Sequence, residues 1–162
     1  MPRHPDMETA RIITLSTAHL HQDTIDAIEA CRGDLSEGPS IAVRDEGFLV
    51  NSHLGDPGAA DRDLQEGLLP SLRDRHPDLA LIRALARGFD AEWINLDVDG
   101  VVCSDILPVY DGRDMEPPMD PAWRAFLGGT TTPAGILYPS DAALRDLGAG
   151  RIPEVDAGPQ PD

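Results

Sequence analysis

Residues 91–111 read AEWINLDVDGVVCSDILPVYD, and this stretch joins a buried-strand pattern to a dense run of carboxylates. A short apolar run with β-branched and aromatic members predicts a strand, formed by Trp93, Ile94 and Leu96. Asp97 and Asp99 follow where that strand ends, and Gly100 comes next. The stretch therefore predicts a core strand with two acidic side chains at its end.

The chain before this strand contains four further predicted segments and one loop. Residues 11–15 have the composition of a strand, and apolar residues at helical spacing predict a helix over 22–31. Residues 40–53 predict a hairpin whose arms are joined by residues 44–47, with Gly47 able to adopt a positive φ. A polar loop is expected over 55–67. Residues 68–89 predict a mostly helical segment, with Leu79, Ile82, Leu85, Ala86 and Phe89 on one face.

The order strand, helix, strand, strand, helix, strand indicates an α+β fold. The specific prediction is a ferredoxin-like split β-α-β sandwich (β-α-β-β-α-β) with both helices on one face of a four-stranded sheet. The short hairpin predicts an antiparallel middle pair. The helical crossovers favour parallel pairing of the strands that flank them.

The composition changes after this core, which predicts three parts. The α+β core is expected to span 11–111, and a Pro/Gly-rich, irregular C-terminal extension to span 112–149. That extension has short helical patterns at 121–127 and 140–147 and a strand pattern at 136–138. Residues 150–162 are predicted to form a disordered tail.

The charge balance excludes several classes of partner. The chain has 162 residues and a formal net charge of −16, and it contains arginine but no lysine. The negative electrostatic field of such a chain disfavours nonspecific nucleic-acid binding and attraction to anionic lipids. It favours basic protein partners. No signal-peptide pattern follows Met1, and no apolar run has the roughly 18 residues of a membrane span. We expect a soluble, cytoplasmic protein.

The form D-x-D-G-V at residues 97–101 resembles the first motif of haloacid-dehalogenase-type phosphatases. That resemblance implies Asp97 as the nucleophile and Asp99 as the general acid/base, with both helping to place Mg²⁺. The context argues against it, because that fold begins with the motif and then needs several βα units. Here the motif lies about three-fifths along the chain, and the Pro/Gly-rich sequence after it shows no clear run of parallel strands. A Mg²⁺-dependent phosphohydrolase is therefore an alternative, and the prediction is that the protein is not an enzyme.

Two segments together resemble another family. They are TLSTAHL at 14–20 and the D-x-D of 97–99 followed by LPVYD at 107–111. They are similar to a family of small uncharacterised domains on bacterial plasmids, phages and other mobile elements, often encoded near antirestriction genes. Gly112 stands where that family usually has tryptophan. The resemblance implies a genetic context and no particular chemistry.

Isolated histidine and cysteine residues are the other candidates for chemistry. His19 follows the first strand and is interpreted as a helix-entry residue that hydrogen-bonds a nearby carbonyl, with a general base or ligand as the alternative. Cys31 and Cys103 form no C-x-x-C pair, so they carry no zinc or redox signature. No catalytic residue, metal ligand or cofactor is predicted.

Acidic residues are concentrated between residues 90 and 120. Nine acids against Arg113 alone give this stretch a net charge of −8, half the charge of the whole chain. The residues predicted to bind a partner are Asp97, Asp99, Asp105, Asp111, Asp114 and Glu116. If these carboxylates lie on one face, they would mimic the phosphates of DNA. A basic nucleic-acid-binding protein of a host defence complex would then bind that face. The predicted function is anti-CRISPR or antirestriction inhibition, with a structural or regulatory module as a further alternative.

Overall fold

A four-stranded mixed sheet forms the centre of the computed structural model. The described residues are 10–35, 39–56, 58–64, 71–128 and 130–153. The strands are β1 (Ile12–Ser16), β2 (Ile41–Arg44), β3 (Gly47–Asn51) and β4 (Trp93–Asp97). Their order across the sheet is β1-β4-β3-β2, with β1 parallel to β4 and the other two pairs antiparallel. All four predicted strands and the α+β class are confirmed.

Alternation of side chains places one face of this sheet in the core. Ile94 and Leu96 of β4 are fully buried, and they pair with Val50 and Phe48 of β3. Gly47 begins β3 with a φ of +154°, and a Cβ there would overlap the Leu96 carbonyl oxygen. The hairpin therefore needs glycine at this position, as expected.

The strand order does not confirm the ferredoxin-like sandwich. Such a sandwich requires each helix-connected pair of strands to run parallel. Here β3 and β4 are connected through helices, yet they are adjacent and antiparallel, and β1 lies at the sheet edge. The physical reason is the connection between them, which spans residues 52–92. It contains several helices and can return the chain in either direction.

The helices before β4 are α1 (Gln22–Ala30), α2 (Ala59–Leu64), α3 (Leu72–Arg75) and α4 (Pro77–Gly88). The expected loop over 55–67 was wrong in part, because α2 lies within it, while 65–70 fall outside the described residues. The segment predicted as mostly helical divides at His76, and Pro77 is the first residue of α4. Proline suits that position, since the N–H it lacks would have had no partner within the helix.

Helix α4 is buried on nearly every side. Residues 77–87 are all buried, and the predicted apolar face is confirmed except at Phe89, which is 39% exposed. On the polar face, Arg83 and Arg87 both donate to the carboxylate of Asp63 in α2. Paired charges can be buried where unpaired ones would be prohibitively costly, so this helix has no solvated face.

The remaining elements follow β4. They are β5 (Val109–Asp111), β6 (Asp114–Glu116), α5 (Pro121–Leu127), β7 (Thr130–Thr131), β8 (Leu137–Tyr138) and α6 (Asp141–Gly148). The predicted helices at 121–127 and 140–147 are confirmed, and Ser140 caps α6 by accepting from Ala143 N–H. The hairpin of β5 and β6 crosses the boundary predicted between 111 and 112.

The C-terminal elements belong to the same hydrophobic core as the sheet. Leu127, Leu144 and Leu147 are buried in one cluster with Ile94 and Leu96, and α6 packs against α4. Of the C-terminal elements, α6 and β8 pack directly against α4. Of the tail predicted to be disordered, 154–162 fall outside the described residues. In the ranges that the structure describes, no helix is long and apolar enough to cross a membrane.

Candidate functional site

Asp97 and Asp99 form a tight turn at the end of β4. The Asp99 N–H donates to Asp97 Oδ1 at 2.8 Å, and the Gly100 N–H donates to the Asp97 carbonyl at 3.0 Å. A Cβ at Gly100 would overlap the Leu15 carbonyl oxygen, so only glycine fits. This geometry accounts for the D-x-D-G pattern as an Asx turn closed against β1.

The same two carboxylates were the candidates for Mg²⁺ chemistry. Asp97 is half-buried and Asp99 is exposed. Across the described ranges, no three His, Cys, Asp or Glu side chains converge to hold a metal ion. The turn leaves the exposed carboxylate of Asp99 available to solvent or to a partner.

His19 connects the two sequence motifs through its ring. It ends a 3-10 helix at Thr17–His19 and is almost fully buried. Nδ1 lies 2.8 Å from the Pro108 carbonyl, and Nε2 lies 2.9 Å from the backbone nitrogen of Cys103. Since the Cys103 N–H must donate, Nε2 is the acceptor and Nδ1–H donates to Pro108. The predicted carbonyl bond of a helix-entry histidine is confirmed.

Both ring nitrogens of His19 are engaged, so the side chain has no free position for proton transfer. Burial holds the pKa of His19 below its ordinary value. The neighbouring thiol of Cys103 is also unsuited to nucleophilic attack, because burial raises its pKa and Asp105 raises it further. Cys31 and Cys103 are both free thiols. His19 and Cys103 are therefore not a nucleophile pair.

Asp78 is a buried polar residue that sequence reasoning missed. Its carboxylate accepts from His21 N–H and Thr24 Oγ1, both at 2.8 Å, and from Leu79 N–H at 2.9 Å. Burial raises the pKa of Asp78, and these hydrogen bonds partly offset that effect. An Asp in the first turn of a helix is favoured by the helix dipole, so its position alone gives no sign of a buried contact. Only the fold shows that it connects α4 to the start of α1.

Tyr110 of the LPVYD segment lies close to this buried group. Its ring makes an edge contact with His21 at 5.6 Å, and its hydroxyl oxygen accepts from Leu137 N–H at 3.1 Å. Burial raises the pKa of Tyr110 strongly. The histidine and tyrosine of the two motifs thus hold the fold together, which leaves the carboxylates as candidates for partner binding.

The other four predicted site residues are all exposed. Asp111 and Asp114 lie directly opposite each other at the closed end of the β5–β6 hairpin, and Glu116 lies at its other end. Like charges opposite each other in a hairpin are destabilising, so the pair concentrates negative potential at a cost. Asp105 lies in a turn before the hairpin, and its carbonyl accepts from Asp120 N–H at 3.1 Å.

None of the six predicted carboxylates has an arginine within ion-pair distance in the part of the chain that the structure describes. Arg113 is nearest in sequence, but it reaches Asp23 at 3.1 Å and Asp26 at 3.8 Å on α1. Other surface acids do have partners, as in the Arg151–Asp146 pair at 2.9 Å. The six carboxylates therefore form two uncompensated groups, one at the turns of 97–105 and one on the hairpin.

A family model described as "Family of unknown function (DUF5983) C-terminal domain" matches residues 12–112. The match runs from β1 through the turn of the β5–β6 hairpin, so it includes His19, Asp78 and Tyr110. It includes four of the six carboxylates and ends before Asp114. No curated protein and no solved structure matches the chain.

Proposed function

The chain belongs to the DUF5983 C-terminal domain family, and from that premise we propose that it is a non-enzymatic acidic binding protein. Its carboxylates would occupy the DNA-binding surface of a basic partner. The observation that carries the proposal is the concentration of six carboxylates within residues 97–116, none of which has an arginine partner in the described part of the chain. Unpaired exposed acids in a chain of charge −16 keep their full potential for an incoming cationic surface.

The partner class follows from the chemistry of such a surface. Proteins that bind DNA contact its phosphates mainly through arginine and lysine, and these contacts dominate their affinity. Carboxylates can compete for the same side chains. Together with the resemblance to mobile-element domains found near antirestriction genes, this favours the nuclease or DNA-recognition subunit of a host CRISPR or restriction system. The protein would act as a DNA-mimicking inhibitor.

A quadruple variant tests the charge directly. Asp105→Asn, Asp111→Asn, Asp114→Asn and Glu116→Gln together remove four charges from exposed positions. We expect slower association with the defence effector and a weaker dependence of that rate on salt, because these charges act over roughly 8 Å at physiological ionic strength. The free energy of unfolding should change by less than about 0.5 kcal/mol per site.

The matched control is Glu29→Gln, Asp34→Asn, Asp90→Asn and Glu92→Gln, which removes four exposed acids that also have no arginine partner among the described residues. Both variants have the same net charge, so a difference between them reports position rather than total charge. The readouts are association rate at low and high salt, and DNA binding and cleavage by effectors of the native host. Equal effects from both quadruple variants would sink the proposal. So would DNA binding and cleavage that are the same with and without the parent protein for every effector.

One observation favours a second candidate, the Mg²⁺-dependent phosphohydrolase. Asp97 and Ser16 are register partners at the carboxyl ends of the parallel strands β4 and β1, which is where ligands bind in many open sheets. A phosphatase screen with Mg²⁺ discriminates between the two candidates. Turnover that is abolished by Asp97→Asn would replace the binding proposal with the enzymatic one.

A further inference from the structure

The loop that follows β4 exposes an unusual amount of apolar surface. Val98, Val101 and Val102 are 59%, 61% and 50% exposed, and Met119 is 64% exposed. Met119 lies beside the loop, with its sulfur 3.4 Å from Ser104 Oγ. Single exposed apolar residues are ordinary, but several on one short loop mark an interaction surface. We call residues 98–105 together with Met119 the valine loop.

Hydrogen bonds to β1 and to His19 anchor the backbone of the valine loop. Ser16 N–H donates to the Val101 carbonyl at 2.8 Å, and Cys103 N–H donates to His19 Nε2 at 2.9 Å. Met119 N–H donates to the Ser104 carbonyl at 2.8 Å. A surface that is already ordered loses little conformational entropy when a partner binds. The exposed valines are therefore presented on a rigid support.

Carboxylates flank the valine loop along the chain. Asp97 and Asp99 flank Val98, and Asp105 ends the loop beyond Val102. None of the three has an arginine partner among the described residues. An apolar centre with an acidic rim is complementary to a segment that has an apolar centre and a basic rim.

We propose that the valine loop is the docking surface for the partner, and that its occupant is a basic polypeptide segment with aliphatic side chains between its arginines or lysines. This inference rests on the proposed function and makes it more specific. A second copy of this chain would bring the same acidic rim against itself, and an anionic membrane would be repelled in the same way. A basic protein segment satisfies both the charge and the apolar surface.

Two synthetic peptides of equal length and equal arginine content test the proposal. One has leucine and the other serine at the remaining positions. Each is titrated into the ¹⁵N-labelled full chain, and amide shifts are followed by NMR. We expect the Arg/Leu peptide to bind about tenfold more tightly than the Arg/Ser peptide, equivalent to about 1.4 kcal/mol. We also expect its largest shifts at residues 98–105 and Met119.

The double variant Val101→Ser, Val102→Ser should remove the preference for the leucine peptide and leave binding of the serine peptide unchanged. Its matched control is Ile12→Ser, Val43→Ser, which changes two other exposed aliphatic residues and should keep the preference. Unaltered amide shifts outside the substituted loop would show that the double variant is folded.

The outcomes separate this inference from the proposed function. Equal binding of both peptides, with shifts at the carboxylates only, overturns the docking role of the valines and leaves the acidic surface intact. Shifts centred away from residues 98–105 and Met119 also overturn it. Failure of both peptides to bind at low salt overturns the inference and removes support from the acidic surface as well.

Discussion

At the scale of single residues, His19 connects two segments that are distant in sequence. Its ring is bonded to the backbone of Cys103 and Pro108, so TLSTAHL and LPVYD meet at one buried imidazole. A carboxylate or lysine at this position could not both donate and accept. The histidine of TLSTAHL therefore has a structural role, and the same bonds order the valine loop.

Two substitutions of His19 distinguish the stability contributed by its hydrogen bonds from the stability contributed by burying the ring. His19→Ala leaves a backbone N–H and a carbonyl without partners, and each buried orphan costs about 1–3 kcal/mol. His19→Gln retains one donor and one acceptor, so we expect a smaller loss of unfolding free energy. Chemical denaturation at pH 7.5 measures both. Equal losses in the two variants would contradict the hydrogen-bonding role.

The lowered pKa of His19 predicts a dependence of stability on pH. Burial lowers this pKa below the ordinary 6.5, so the unfolded chain binds the proton more readily than the folded chain. The neutral ring therefore contributes fully to the free energy of unfolding above about pH 6.5. That contribution is lost as the pH falls toward the pKa of His19 in the folded state. Between pH 7 and 5, the stability of the parent should fall more steeply than that of His19→Gln.

The lowered pKa values of His53 and His76 act in the same direction. Both residues are present in the parent and in the variant, so their effects cancel in the comparison. Parallel stability curves for the two proteins would show that His19 is not the responsible group.

At the scale of elements, α4 is the helix about which the molecule packs. Its apolar face meets the core of the sheet, α6 packs on another side, and the ion network of Arg83, Arg87 and Asp63 fills a third. The guanidinium of Arg87 also donates to the Ser52 carbonyl at 3.0 Å. Such a helix depends on tertiary contacts for its stability far more than on intrinsic propensity.

Leu85→Ala should destabilise the protein by about 2–5 kcal/mol, because it removes a 2% exposed side chain from the centre of this packing. The control is Phe89→Ala at the end of the same helix, which removes a larger side chain that is 39% exposed. We expect the control to cost less despite its size. Urea unfolding followed by circular dichroism measures both, and a larger loss in the control would contradict the packing described for α4.

At the scale of the whole molecule, the C-terminal elements are part of the fold rather than an appendage. Trp123, Leu127, Leu144 and Leu147 are each no more than 3% exposed. Burying one such side chain contributes about 1.5–3 kcal/mol. Four of them are comparable with the typical 5–15 kcal/mol stability of a domain.

Two truncations should therefore behave very differently. A chain that ends after residue 116 should not fold, because α4 loses its cover and the core loses these four side chains. A chain that ends at Gly150 should keep nearly the parental melting temperature, since removal of Arg151 loses only an exposed ion pair with Asp146 and one backbone hydrogen bond to the Asp146 carbonyl. Thermal denaturation followed by circular dichroism measures both. A loss of several degrees in the longer chain would show that residues 151–162 dock on the core.

The sequence by itself determined the local elements of this protein. Strands β1 to β4, the hairpin at Gly47 and the helices at 121–127 and 141–148 follow from patterns and turn chemistry that act within a few residues. The exposure of Asp105, Asp111, Asp114 and Glu116 was predictable for the same reason, since turns and polar loops lie at the surface.

Only the tertiary structure decided which partners these elements have. Each of these contacts joins residues 20 or more positions apart in sequence. They are the pairing of the edge strand β1 with β4, the hydrogen bonds of buried Asp78, the two hydrogen bonds of the His19 ring and the ion pair of Arg83 with Asp63. Hydrogen bonds and buried charges of this kind depend on which groups meet in space. No periodicity along the chain specifies that, because removing a polar group from water is costly unless its partner is buried beside it.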